Sequence, residues 1–104
     1  MKMSVLAPTP AGRMLDARGR PYFLWDEDMT SDELRARLVD PEPEVRAYFL
    51  GKLMRQAKPD DVFEFVSLRA IVEQFPAVER YLGKTREFWT WLIGHWGKPA
   101  RGPG

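Results

Sequence analysis

The chain has 104 residues, of which 44% are hydrophobic and 30% charged, with a net charge of +1 and no cysteine. This length predicts a single domain, and the apolar content is too high for a disordered chain. The lack of cysteine excludes disulfides, thiol catalysis and cysteine-ligated metals. No apolar run approaches the ~20 residues of a membrane span, and prolines interrupt the first ten residues, so we expect a cytoplasmic protein.

The charge is unevenly distributed along the chain. Residues 1–20 carry a net charge of +3 and residues 44–104 also carry +3. Residues 21–43 carry −5, because they contain seven acidic residues and only two arginines. A net charge this small argues against a general nucleic-acid binder. The acidic block suits either electrostatic steering toward a partner or pairing within the chain.

Both ends of the chain are poor in large apolar side chains. Residues 1–19 contain two prolines and two glycines, and residues 97–104 read "GKPARGPG". Such segments bury too little surface to order themselves. We therefore predict a flexible N-terminal arm (1–19), a helical domain (20–96) and a flexible C-terminal tail (97–104).

The first predicted helix starts near Thr30. Thr30 at the N-cap and Glu33 three residues later form a capping-box pattern, and Met29 and Leu34 have the spacing of a hydrophobic staple. The helix should end before Pro41.

The second predicted helix begins with Asp40 as the cap and Pro41 at the first helical position. Its buried face is a stripe of apolar residues at helical spacing, and Pro59 ends it. The stripe consists of Val45, Phe49, Leu50, Leu53, Met54 and Ala57.

Shorter helices follow. One opens at Asp60 or Asp61, and a second is capped by Ser67 and ended by Pro76. Gly83 closes one or two further turns, and Thr85 caps the last helix. No segment alternates with a period of two, so we predict an all-α fold: a compact bundle of five or six short helices.

The last helix, "REFWTWLIGHW", is the most aromatic part of the chain. Its predicted core face consists of Phe88, Trp89, Leu92, Ile93 and Trp96. Trp91 points nearly opposite Trp89. Either it packs under the N-terminal arm or the Tyr22–Trp25 segment, or it contacts a partner, because exposed tryptophans are enriched at interface hot spots.

Catalytic and metal-binding patterns are weak. The acids near Trp25 lack the turning glycine of a calcium loop, and the scattered glycines form no phosphate-binding loop. His95 is the single histidine, and a surface position or a stack on Trp91 or Trp96 accounts for it. We therefore predict no metal, no cofactor, no catalytic residue and no enzyme activity. Helix capping explains Asp32 and Glu33 but not Asp26 or Asp28.

Two alternative functions remain open. Residues 60–75 have a helix-turn-helix-like pattern, although Arg69 and Gln74 on a mostly apolar helix offer few contacts to DNA. A homodimer held through Trp91 is the other alternative.

From Pro21 to Trp96, the chain resembles small bacterial proteins encoded beside nucleotidyltransferases of the AbiEii abortive-infection toxin type. The segments that carry the resemblance are "PYFLWDEDMT", "YFLGKLMRQAKPDDVFEFVSLRAIVEQFP" and "LGKTREFWTWLIGHW", with Arg55 ahead of "DDVFEFVSL" as one of its markers. The resemblance implies a cytosolic, antitoxin-like partner module and brings no catalytic residues.

These observations lead to one functional hypothesis. The acidic Trp25–Asp32 stretch faces the basic cleft of a nucleotidyltransferase-type partner, where Asp26 and Asp28 pair with lysine or arginine and Trp25 or Trp91 is the apolar anchor. Arg55 is added because it is a marker of the resemblance. The candidate partner-binding residues are therefore Trp25, Asp26, Asp28, Arg55 and Trp91.

Overall fold

A computed structural model describes residues 9–96, except for the side chains of Ala11 and Trp96. Within this range the chain forms six α-helices and three short 3₁₀ helices, and it contains no strand. The all-α prediction is confirmed. The α-helices are α1 (Ala11–Met14), α2 (Ser31–Leu38), α3 (Pro43–Gln56), α4 (Pro59–Val62), α5 (Leu68–Val78) and α6 (Arg86–Trp96), and the 3₁₀ helices are Tyr22–Leu24, Glu79–Tyr81 and Gly83–Thr85.

Helix α3 is the centre of the domain and contacts α2, α4, α5 and all three 3₁₀ helices. Its buried face includes Ala47, Leu50, Leu53 and Met54, at the helical spacing that the sequence predicted. The remaining core residues come from every other α-helix, from the 3₁₀ helix Tyr22–Leu24 and from connecting segments, so one continuous apolar core holds the described domain together.

The capping box at the start of α2 is confirmed. The Glu33 backbone N–H donates to Thr30 Oγ1 at 3.2 Å, and the Thr30 N–H donates to Glu33 Oε1 at 2.8 Å. Met29 and Leu34 are both buried beside it. Ser67 caps α5 as predicted, because its hydroxyl accepts the Ala70 N–H at 3.0 Å.

The predicted start of α3 is two residues too early. The helix begins at Pro43 with Glu42 as the N-cap, whereas Asp40 accepts the Glu42 N–H at 2.8 Å in the preceding turn. A short aspartate side chain forms such a local turn as readily as a helix cap, and the sequence alone does not distinguish the two.

The predicted stop at Pro76 is also wrong, because α5 continues through Pro76 to Val78. Proline costs the helix one backbone hydrogen bond, but the complete burial of Val78 favours the extra turn. Thr85 does not cap α6 either: its hydroxyl donates to the Leu82 carbonyl at 2.6 Å within the preceding 3₁₀ turn.

Residues 9–19, predicted as part of the flexible arm, pack against the domain. Met14 of α1 is buried, Leu15 forms an isolated bridge with Pro21, and the Ser31 N–H donates to the Gly19 carbonyl at 2.8 Å. The described domain therefore starts before residue 20. Residues 1–8 and the predicted tail 97–104 lie outside the described residues.

Among the described residues, no helix combines the length and apolar character needed to cross a membrane.

Candidate protein-docking surface

Trp25 stands on the surface because the turn before it is anchored in the core. The 3₁₀ helix Tyr22–Leu24 buries Phe23 and Leu24, and the Phe23 ring meets Phe65 edge-on with the centroids 5.6 Å apart. Trp25 follows directly with 78% of its surface exposed. A large exposed indole on a fixed turn is a ready-made contact point for another molecule.

The two acids after Trp25 are bound to a lysine inside the domain. The buried Lys52 Nζ lies 2.7 Å from Asp26 Oδ2 and 3.1 Å from Glu27 Oε2. Gln56 adds a hydrogen bond from its amide nitrogen to the Phe23 carbonyl at 2.7 Å. The hydrogen bond from Lys52 is the main cause that lowers the pKa of Asp26. This network fixes the turn that carries Trp25.

Asp28 also pairs within the chain, although it is far more exposed. Its carboxylate lies 3.0 Å from Arg20 Nη1 and 3.5 Å from Arg18 Nη2. Arg20 in turn donates to Asp16 at 2.7 Å. The three acids that follow Trp25 are therefore paired with arginines of the preceding segment and with Lys52.

Trp91 forms the second exposed aromatic position. Its ring stacks on His95 with the centroids 5.3 Å apart and the planes 8° from parallel, and the Phe88 ring lies 6.3 Å away, tilted by 39°. Phe88 meets the fully buried Trp89, whose indole N–H donates to the Met54 carbonyl at 3.0 Å. We call Phe88, Trp91 and His95 the α6 aromatic stripe.

The rings of the stripe pack against one another and are still exposed, since 58% of Trp91 and 40% of Phe88 face solvent. Among the described residues, the ring contacts of Trp91 are with Phe88 and His95 of its own helix, and none is with residues 9–19 or the Tyr22–Trp25 turn. The prediction of Phe88 as core is wrong: it lies at the edge of the buried arc, next to Trp91. Trp89 and Leu92 are buried as predicted, while the Trp96 side chain lies outside the described residues.

Arg55 has a role within the fold. Its guanidinium donates to the Tyr81 carbonyl at 2.7 Å and to Gln56 Oε1 at 3.3 Å. Because Gln56 also donates to Asp26 at 3.3 Å, Arg55 and Asp26 share one partner. The five candidate residues thus fall into two places. Trp91 lies on α6, and the other four lie in or beside the Trp25 turn, where Gln56 links Arg55 to Asp26.

The buried Asp61 is the polar residue whose role the sequence did not reveal. Its carboxylate accepts the Thr9 N–H and hydroxyl, each at 2.6 Å, and the Tyr22 hydroxyl at 2.5 Å. Burial by itself raises the pKa of Asp61, but these hydrogen bonds outweigh it and lower the pKa below its usual value. In the sequence, the aspartates after Pro59 indicate the start of a helix. No local signal indicates that Asp61 binds Thr9, which lies 52 positions away.

The described residues contain no group of three or more potential metal-binding side chains. The region of the helix-turn-helix alternative consists of the single-turn α4 followed by α5, where Arg69 pairs with Glu73 at 3.2 Å. Neither feature favours a metal site or a DNA-reading helix here.

No family model, no curated protein and no solved structure matches the chain. The fold and its surface are therefore the observations from which a function can be argued. They define an all-α domain on which Trp25 and Trp91 are exposed.

Proposed function

We propose that this protein is a cytoplasmic protein-binding module, without catalytic activity of its own, that docks on a nucleotidyltransferase-type partner and regulates it. The observation that carries the binding role is the α6 aromatic stripe, in which Trp91 is stacked on His95 but exposed. A preordered aromatic side chain loses little conformational freedom on binding, so more of its buried area contributes to affinity. The partner's identity rests on the resemblance of residues 21–96 to the proteins encoded beside AbiEii-type enzymes.

The internal ion pairs support a specific division of roles in this proposal. Trp25 and Trp91 are the anchors, whereas Asp26 contributes by holding the Trp25 turn through Lys52. Asp28 remains 68% exposed at its side chain, but it already meets Arg18 and Arg20. The apolar anchors therefore contribute more affinity than direct pairing of these acids with a basic cleft.

Co-expression with the product of the neighbouring reading frame tests the proposal. The tagged full-length protein should retain that product on an affinity column, and Trp91→Ala should lower its recovery at least about tenfold. Thr90→Ala is the matched control, since Thr90 is exposed on the same helix and makes none of the ring contacts. Nucleotidyl transfer by the partner, measured with and without the module, reports the regulation.

The proposal fails if the nucleotidyltransferase product is not retained, or if Trp91→Ala and Thr90→Ala retain it equally. A homodimer through the same stripe would instead appear as a doubled mass of the isolated protein that Trp91→Ala restores to the monomer.

A further inference from the structure

A groove of about 310 Å³ lies beside Trp25. Its apolar lining includes Leu15, Pro21 and Leu24, and the exposed Trp25 forms part of its wall. An apolar cleft next to a fixed indole suits an apolar side chain of a ligand, because both surfaces leave water on contact.

The charged side chains that line this groove differ in whether they are paired. Asp16 pairs with Arg20, which also meets Asp28, and Glu27 shares Lys52 with Asp26. Arg13 also lines the groove, and its guanidinium makes no ion pair with any residue between 9 and 96. The groove therefore offers an apolar surface with one arginine at its rim, Arg13, whose guanidinium is not engaged in an ion pair within residues 9–96.

We infer that this groove binds a short peptide segment of the partner protein in which an apolar side chain is followed by one carboxylate. The apolar side chain fills the space beside Trp25, and the carboxylate pairs with the Arg13 guanidinium, whose planar donors match two carboxylate oxygens. This inference rests on the proposed function, in that it assumes a protein partner, and it names the chemistry that one docking site selects.

The rim also explains why a peptide fits better than a polyanion. Asp16 and Glu27 lie on the same groove as Arg13, so a run of phosphates would meet two carboxylates along with the arginine. A single carboxylate placed at Arg13 avoids this repulsion.

Titration of the ¹⁵N-labelled full-length protein with capped peptides tests the inference. The probes are acetyl-GSLFESG-amide, its glutamine analogue acetyl-GSLFQSG-amide and its lysine analogue acetyl-GSLFKSG-amide. The glutamate peptide should shift the indole N–H signal of Trp25, which is assigned by its loss in Trp25→Phe. The glutamine peptide should bind about threefold more weakly, as expected for one exposed charge pair, and the lysine peptide more weakly still.

Arg13→Gln should bring the affinity for the glutamate peptide down to that of the glutamine peptide. Arg18→Gln is the matched control, because this neighbouring exposed arginine pairs with Asp28 and does not line the groove, so it should keep the wild-type affinity. Unchanged circular dichroism of both variants verifies that each one is folded.

Equal affinities for the three peptides, an unaffected Trp25 signal up to about 5 mM peptide, or equal effects of the two arginine variants would overturn the inference. The titration uses no nucleotidyltransferase. If the peptides do not bind but the nucleotidyltransferase still co-purifies, the groove proposal alone is rejected. If the peptides bind but the nucleotidyltransferase does not co-purify, the proposed partner is rejected and the groove remains supported.

Discussion

At the scale of single residues, Lys52 accounts for two of the acids in the segment before α2, because it pairs with both Asp26 and Glu27. Burial alone lowers the pKa of Lys52, but the carboxylates of Asp26 and Glu27 outweigh burial and raise it, so the ammonium stays charged inside the domain. A buried charge is tolerated only where partners replace its lost hydration. The acids beside Trp25 are therefore needed by the fold whatever else they contact.

Lys52→Met tests this role. The substitution removes the charge and leaves two carboxylates that are about one-third exposed, so water can hydrate them in part. We expect the free energy of unfolding to fall by about 1–3 kcal/mol, measured by urea denaturation. Arg69→Met is the control, since it breaks an exposed pair on α5 and should change stability by less than about 0.5 kcal/mol. Equal losses in the two variants would show that the buried network adds nothing.

Asp61 gives a pH-dependent prediction. Its folded-state pKa lies below the ordinary value of about 3.9, so its ionised form stabilises the fold above that pH, and this stability is lost as the pH falls through the folded-state pKa. Asp61→Asn should cost about 1–3 kcal/mol at pH 7, and the difference from wild type should shrink below about pH 4. Urea denaturation between pH 3 and 7, at roughly one-unit steps, measures it.

Glu64→Gln is the matched control for Asp61→Asn, because Glu64 is a nearby exposed carboxylate. Its substitution should leave stability nearly unchanged over this pH range. A stability difference for Asp61→Asn that stays constant from neutral to acid pH would contradict the assignment.

Among elements, the contact between α3 and the 3₁₀ helix Glu79–Tyr81 depends on a glycine. A Cβ at Gly51 would lie 2.5 Å from Tyr81 Cβ, so the two elements would have to separate. Gly51→Ala should therefore destabilise the protein by about 1–3 kcal/mol in thermal or urea unfolding.

Gly94→Ala supplies the opposite expectation within the same chain. Gly94 lies on α6 with open space around the added Cβ, so alanine should stabilise the helix by about 0.4–1 kcal/mol. If both alanine variants shift the melting temperature in the same direction, close packing at Gly51 is not the cause.

The features of the helices that the sequence predicted correctly depend on residues that are close together in the chain. The Thr30–Glu33 capping box, the Ser67 cap and the positive φ of Gly83 (55°) each follow from local chemistry. The C-terminal end of α5 and the exposure of Phe88 depend on what packs against them. The pairs Lys52–Asp26 and Thr9–Asp61 join residues 26 and 52 positions apart, and one sequence holds no signal that selects such partners.

For the molecule as a whole, the pairing of charges changes how a partner should approach. The sequence shows an acidic block between two basic ones, which suggests steering over long distances. In the folded chain, Asp26, Glu27 and Asp28 each meet a basic side chain within the domain. Opposite charges a few ångströms apart largely cancel beyond a Debye length, so the approaching partner meets a nearly neutral surface around Trp25.

This cancellation predicts weakly salt-dependent association. The association rate constant with the co-purifying nucleotidyltransferase should stay in the range of about 10⁵–10⁶ M⁻¹s⁻¹ and change less than about threefold between about 50 and 300 mM salt. Asp28→Asn should leave both the rate and its salt dependence unchanged, whereas Trp25→Ala should act mainly by raising the dissociation rate. Stopped-flow mixing with tryptophan fluorescence measures these rates. A rate that falls tenfold or more over this salt range, and flattens in Asp28→Asn, would show that the exposed carboxylate of Asp28 meets the partner after all.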